Sequence, residues 1–92
     1  MLKEYDKIFL KALQTWGGKA QEDMAIEECS ELIKAICKFR RSKKVGIEEL
    51  NNIIDEVADV TIMMRQMSII VGEDKVEERI KFKIERLKEM LK

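Results

Sequence analysis

With 92 residues and 10.8 kDa, the chain has room for one domain, 1–92, because a single hydrophobic core ordinarily serves about 100–200 residues. Charged side chains make up 39% and apolar ones 46%, with no proline and four glycines, a composition short of turn formers that reads as all-α. The 18 basic and 18 acidic groups cancel, which argues against a nucleic-acid polymer or an anionic membrane surface as partner.

The chain begins Met1-Leu2-Lys3-Glu4, with charge where a secretion signal needs its apolar segment. The first helix follows at once: Leu2, Tyr5, Ile8, Phe9, Ala12, Leu13 and Trp16 recur at three- and four-residue steps. Trp16 closes that stripe, either as core packing or as a face on which a base stacks. Gly17-Gly18 ends the helix, since glycine accepts the left-handed backbone of a helix terminus. The second helix is expected from about Ala20 to Arg41, with Ala25, Cys29, Leu32, Ile33, Ile36 and Cys37 on its inner side. Two cysteines in that setting read as small hydrophobes and are too few for a disulfide scaffold. A basic connector, Arg40-Arg41-Ser42-Lys43-Lys44, leads through Val45-Gly46 to a third helix near Ile47–Val71, with Glu48 and Glu49 in its first turn. The last helix starts near Asp74 and sets Val76, Ile80, Ile84, Leu87 and Leu91 on one narrow seam. The most apolar stretch, Val57 to Val71, contains Asp59, Arg65 and Gln66 and is no membrane span, so a cytoplasmic location is expected.

The third helix does not suit a monomer. Leu50, Ile53, Ile54, Val57 and Ala58 form an ordinary stripe, but Met63, Met64, Met67, Ile69, Ile70 and Val71 then wrap almost the whole circumference. Such a helix needs cover on every side, which four short helices cannot give to one of their own. The expected architecture is a four-helix bundle-like subunit that completes its core by homo-oligomerisation, as dimer or tetramer.

Two acid pairs stand apart from the rest. Glu28 and Glu31 project about 60° apart on the second helix, in a sector shared with Met24 and Ala35 and edged by Phe39. Glu56 and Asp59 project likewise on the third, in a sector shared with Met63, Met67 and Ile70. Glu73, Asp74, Glu77, Glu78, Glu85 and Glu89 lie instead among Lys and Arg on faces that read as solvated. Carboxylates that interrupt apolar faces lose hydration and repel one another unless something positive neutralises them. A divalent cation can do so, and Mg²⁺ suits an all-oxygen site completed by substrate phosphates. The absence of histidine excludes Ser-His and Cys-His catalytic pairs, an HExxH zinc site and a Glu/His di-iron bundle.

Glu27-Glu28-Cys29-Ser30-Glu31 is an EExxE motif, and Glu56-Val57-Ala58-Asp59 an ExxD motif, with 24 residues between them. That pair resembles the MazG-type, all-α nucleoside triphosphate pyrophosphohydrolases, a group related to the dimeric dUTPases. Trp16-Gly17-Gly18-Lys19-Ala20-Gln21 and Lys83-Ile84-Glu85-Arg86-Leu87 add to a resemblance that covers roughly residues 16–87. It implies Mg²⁺-dependent hydrolysis of a nucleoside triphosphate to monophosphate and pyrophosphate, clearing unwanted nucleotides from the pool. Position by position, it makes Glu28, Glu31, Glu56 and Asp59 metal ligands, and Glu27 a further ligand or the general base that orients water. Lys83 and Arg86 would then meet phosphate charge, or else form surface ion pairs with Glu85 and Glu89. Gln21 either reads a base edge or merely occupies a first helical turn. Two other readings compete: a non-catalytic helical dimerisation module, and a small helix-turn-helix DNA binder using Arg40–Lys44. The second is disfavoured by zero net charge and the want of a recognition helix rich in Arg, Asn and Gln.

Overall fold

The computed structural model describes residues 2–43 and 46–92; Met1, and Lys44 and Val45 of the basic connector, lie outside the described residues. A 3-10 turn at Lys3–Tyr5 leads into α1 (Asp6–Trp16), followed by α2 (Gly18–Arg41), α3 (Ile47–Val71) and α4 (Glu73–Met90). The chain is all-α, with no strand among the described residues. Gly17 adopts φ +85° and its N–H donates to the Leu13 carbonyl, so one glycine makes the turn and Gly18 already opens α2. Gly72, at φ +121°, makes the equivalent break between α3 and α4 through the Ser68 carbonyl. No described helix is long and apolar enough to cross a membrane.

α2 and α3 form an antiparallel hairpin that carries most of the packing. The Ala25–Cys29 end of α2 lies beside Met64 and Met67, and the Lys34–Lys38 end beside Asn52 and Glu56. α1 lies across the open end of the hairpin. Phe9, Ala25 and Met63 are the buried apolar side chains there, joined by the amides of Gln21 and Gln66. Arg65 ties the junction together. Its guanidinium, 11% exposed, donates to both Asp6 oxygens at 3.0 and 2.6 Å and to Glu73 at 3.1 Å. Lys3 closes the network on Glu73 and Glu77, at 3.2 Å each.

Much apolar surface is left uncovered. The accessible area is 7,636 Å², about 2,100 Å² more than the about 5,500 Å² of a compact monomer of this mass. The radius of gyration of 15.9 Å likewise exceeds the about 12 Å of a compact chain this long. The excess has identifiable sources. α4 touches α3 but never approaches α2, and from Glu77 onward every residue of the arm is exposed. Met64 and Val71 on α3 stay exposed, as do Ile26 and Ile33 on α2.

Three expectations need correction. Trp16 is 65% exposed, because burial along the stripe of α1 fades from Phe9 through half-buried Ala12 and Leu13 to its end; it is not core packing. Cys37 is exposed, whereas Cys29 is half-buried as expected. Glu73 is not a solvated acid: Arg65, one helical break away, and Lys3 both bind it.

Candidate metal centre

The EExxE and ExxD motifs face each other across the hairpin. An i, i+3 step keeps Glu28 and Glu31 on one side of α2, and Glu56 and Asp59 on one side of α3. The antiparallel register then sets one pair against the other. Glu28, Glu56 and Asp59 each place a carboxylate oxygen within 4.8 Å of the other two, with Glu28 and Glu56 half-buried and Asp59 exposed. Glu56 Oε2 is buried with no hydrogen-bond partner. None of the three has an ion pair within the chain, among the described residues.

The electrostatics follow from that crowding. Partial loss of hydration raises the Glu28 carboxyl above its ordinary range, aided by the charges of Asp59 and Glu56 and by a hydrogen bond with Asp59. Lost hydration also raises Glu56, with Asp59, Glu31 and Asp55 adding like charge. Repulsion therefore accumulates in this cluster, and no side chain of the described residues relieves it.

A hard divalent cation fits this donor set. The ligands are all oxygen, one of them is buried and unsatisfied, and the cluster opens to solvent on the Asp59 side.

The other expected residues fall around this cluster or away from it. Glu31 lies outside the close triad and pairs with Lys34 at 3.6 Å, although its charge is felt by Glu56. Glu27 is exposed and lines a cavity of about 370 Å³ with Trp16, Gln21 and Met24. Gln21 is only 4% exposed, so it is more than an incidental first-turn residue. Lys83 and Arg86 lie on the projecting arm of α4, and their own chain does not bring them to the acids. The surface pairs expected for them do not form either: Glu85 binds Lys88 and Glu89 binds Lys92.

Two features escaped sequence reasoning. The Arg65 network joins residues 59 positions apart, which no local pattern encodes. Beside the acids, Lys34, Lys38 and Asn52 line a polar cleft of about 300 Å³ with Glu31 and Glu56. The four-residue step from Lys34 to Lys38, continuing from Glu31, was the available signal. A larger, apolar groove of about 660 Å³ runs along Ile26, Cys29, Ile33, Met64 and Met67, on the opposite flank of α2 from Glu31.

No family model, curated protein or solved structure matches the chain. The likeness to MazG-type enzymes therefore rests on the motifs themselves.

Proposed function

We propose that the chain is a Mg²⁺-dependent nucleoside triphosphate pyrophosphohydrolase of the MazG type, releasing nucleoside monophosphate and pyrophosphate. The observation that supports this reading best is the convergence of Glu28, Glu56 and Asp59, with a buried Glu56 oxygen that nothing in the described residues satisfies. Glu28, Glu56 and Asp59 would hold Mg²⁺ directly, with Glu31 joining once Lys34 releases it. When bound, the metal neutralises the triphosphate and makes coordinated water more acidic. Glu27 projects beside the cluster toward the Trp16–Gln21 cavity, where its carboxylate accepts the proton of the attacking water. Water oxygen bonds to phosphorus as the bridging P–O bond breaks. Trp16 offers a face for the base, and the buried Gln21 amide a donor and an acceptor for its edge.

The active form in this reading is a homo-oligomer in the cytoplasm. An excess of about 2,100 Å² per chain, paired between two copies, amounts to about 4,200 Å², within the range of obligate homodimers. Lys83 and Arg86 then serve phosphate only across the assembly, because α4 never approaches α2 of its own chain. The same exposed surface also favours a second reading, a non-catalytic dimerisation module, which would associate without any response to metal.

Thermal melting with and without Mg²⁺ separates the two. Tenfold above its dissociation constant, Mg²⁺ adds roughly 1.4 kcal/mol to the native state, or about 6–11 °C for a chain of this size. Glu28→Gln and Glu56→Gln should abolish that gain. Indifference to Mg²⁺, with Gln variants melting higher than the parent, would make the acids merely repulsive groups and remove the enzyme reading.

A further inference from the structure

One face of α2 carries three chemically distinct zones in order. Met24, Glu27, Glu31, Lys34 and Lys38 recur at three- and four-residue steps and so share a side of the helix. Asn52, Glu56 and Asp59 do the same on antiparallel α3. The result is a sequence of sites along the helix axis rather than a ring: the Trp16–Gln21 cavity, then the acid cluster, then the cleft of Lys34, Lys38 and Asn52. At 1.5 Å per residue the centres of successive zones lie about 10 Å apart.

The third zone has donors to spare. Lys38 has no ion pair and the Asn52 amide no hydrogen bond within the described residues, while Lys34 is held only by a loose contact to Glu31 at 3.6 Å. The cleft shares Glu56 with the acid cluster, and Glu31, whose charge Glu56 feels, lines it too, so the two zones are continuous. Two lysines here contribute nothing to a metal held by the acids alone, since neither pairs with Glu28, Glu56 or Asp59. They suit a metal that carries a polyphosphate. Oxygens the metal does not reach need their own donors, and Lys meets them as a point charge.

We infer that Lys34, Lys38 and Asn52 form a subsite for the pyrophosphate half of the substrate, which therefore lies along α2 with its base toward Trp16 and its terminal phosphate toward Lys38. This rests on the reading of Glu28, Glu56 and Asp59 as a Mg²⁺ site. It also moves the phosphate-binding role within one chain from Lys83 and Arg86 to the C-terminal half of α2.

Calorimetric titration of inorganic pyrophosphate into the protein, at saturating Mg²⁺, tests the subsite without catalysis. Lys34→Ala/Lys38→Ala should weaken binding at least about tenfold, as expected for loss of charge-assisted contacts, while the thermal stabilisation by Mg²⁺ alone persists. Lys34→Arg/Lys38→Arg should recover most of the affinity, and Asn52→Asp should lower it by adding like charge. Mg²⁺-dependent binding that ignores both lysines would overturn the subsite and leave the metal reading intact. Pyrophosphate binding indifferent to Mg²⁺ and to Glu56→Gln would overturn the metal reading, and the subsite with it.

Discussion

The α4 arm offers the sharpest test of the proposed assembly. Ile84 and Leu87 sit on its seam, 50% and 53% exposed, with no apolar neighbour from their own chain beyond the arm itself. Fully burying such a side chain is worth about 1.5–3 kcal/mol, so covering the exposed half of each contributes about 1 kcal/mol. A two-fold interface uses every residue twice, which makes about 4 kcal/mol for the pair across two copies, a factor of about a thousand in dissociation constant. Ile84→Glu/Leu87→Glu should weaken association by at least that factor, before any cost of dehydrating the new carboxylates. Sedimentation equilibrium across a wide concentration range reads this directly. The parent should sediment at a multiple of 10.8 kDa, and the double variant should dissociate at concentrations where the parent stays assembled. A parent that remains a monodisperse, stable 10.8 kDa monomer at every concentration would mean that the exposed area is no interface, and a variant that assembles as tightly as the parent would mean that the α4 seam is not part of one.

Other outcomes follow from the charged groups. Glu28 and Glu56 have raised carboxyls in the folded chain, so without metal they bind protons more readily than the unfolded chain does. Their contribution to stability therefore grows as pH falls through the raised values toward the ordinary 4.5, and a urea-denaturation series should show this acid-side gain vanish when Mg²⁺ is added. Asp6 and Glu73 run the other way: Arg65 holds the Asp6 carboxyl below its ordinary value, and Lys3 and Arg65 do so for Glu73. Arg65→Met should accordingly lower Tm by several degrees at neutral pH, more than Lys3→Met, with the loss disappearing as pH falls through those lowered values. Met63→Ala, at a side chain only 5% exposed, should cost about 2–5 kcal/mol in denaturant unfolding; a cost below 1 kcal/mol would mean that the junction of α1, α2 and α3 is not a packed core.

What the sequence disclosed depended on how local each signal was. The breaks at Gly17 and Gly72 were legible because a left-handed residue is needed there and glycine supplies it most readily. The acid cluster was legible because i, i+3 spacing fixes a shared face, and two such pairs on neighbouring antiparallel helices have few ways to miss each other. The exclusion of Glu31 from the close triad was not, since spacing fixes a shared face but not how near each acid lies to the opposite helix. Trp16 completed a good stripe and still came out exposed, because periodicity identifies an apolar face without saying what covers it. The same holds for the α4 seam. Arg65 looked like an interruption of an apolar helix, and only the tertiary fold brings Asp6 and Glu73 to its guanidinium.

In the proposed reading, Glu28, Glu56 and Asp59 hold the metal on which a nucleotide's phosphates are cleaved. Pyrophosphate release from a panel of canonical and modified nucleoside triphosphates, measured with Mg²⁺ for the parent and for Glu56→Gln, tests it most directly. Equal amounts of monophosphate and pyrophosphate from the parent, lost on chelation and in Glu56→Gln, are the predicted result. No cleavage of any triphosphate, or cleavage that survives both treatments, would contradict it.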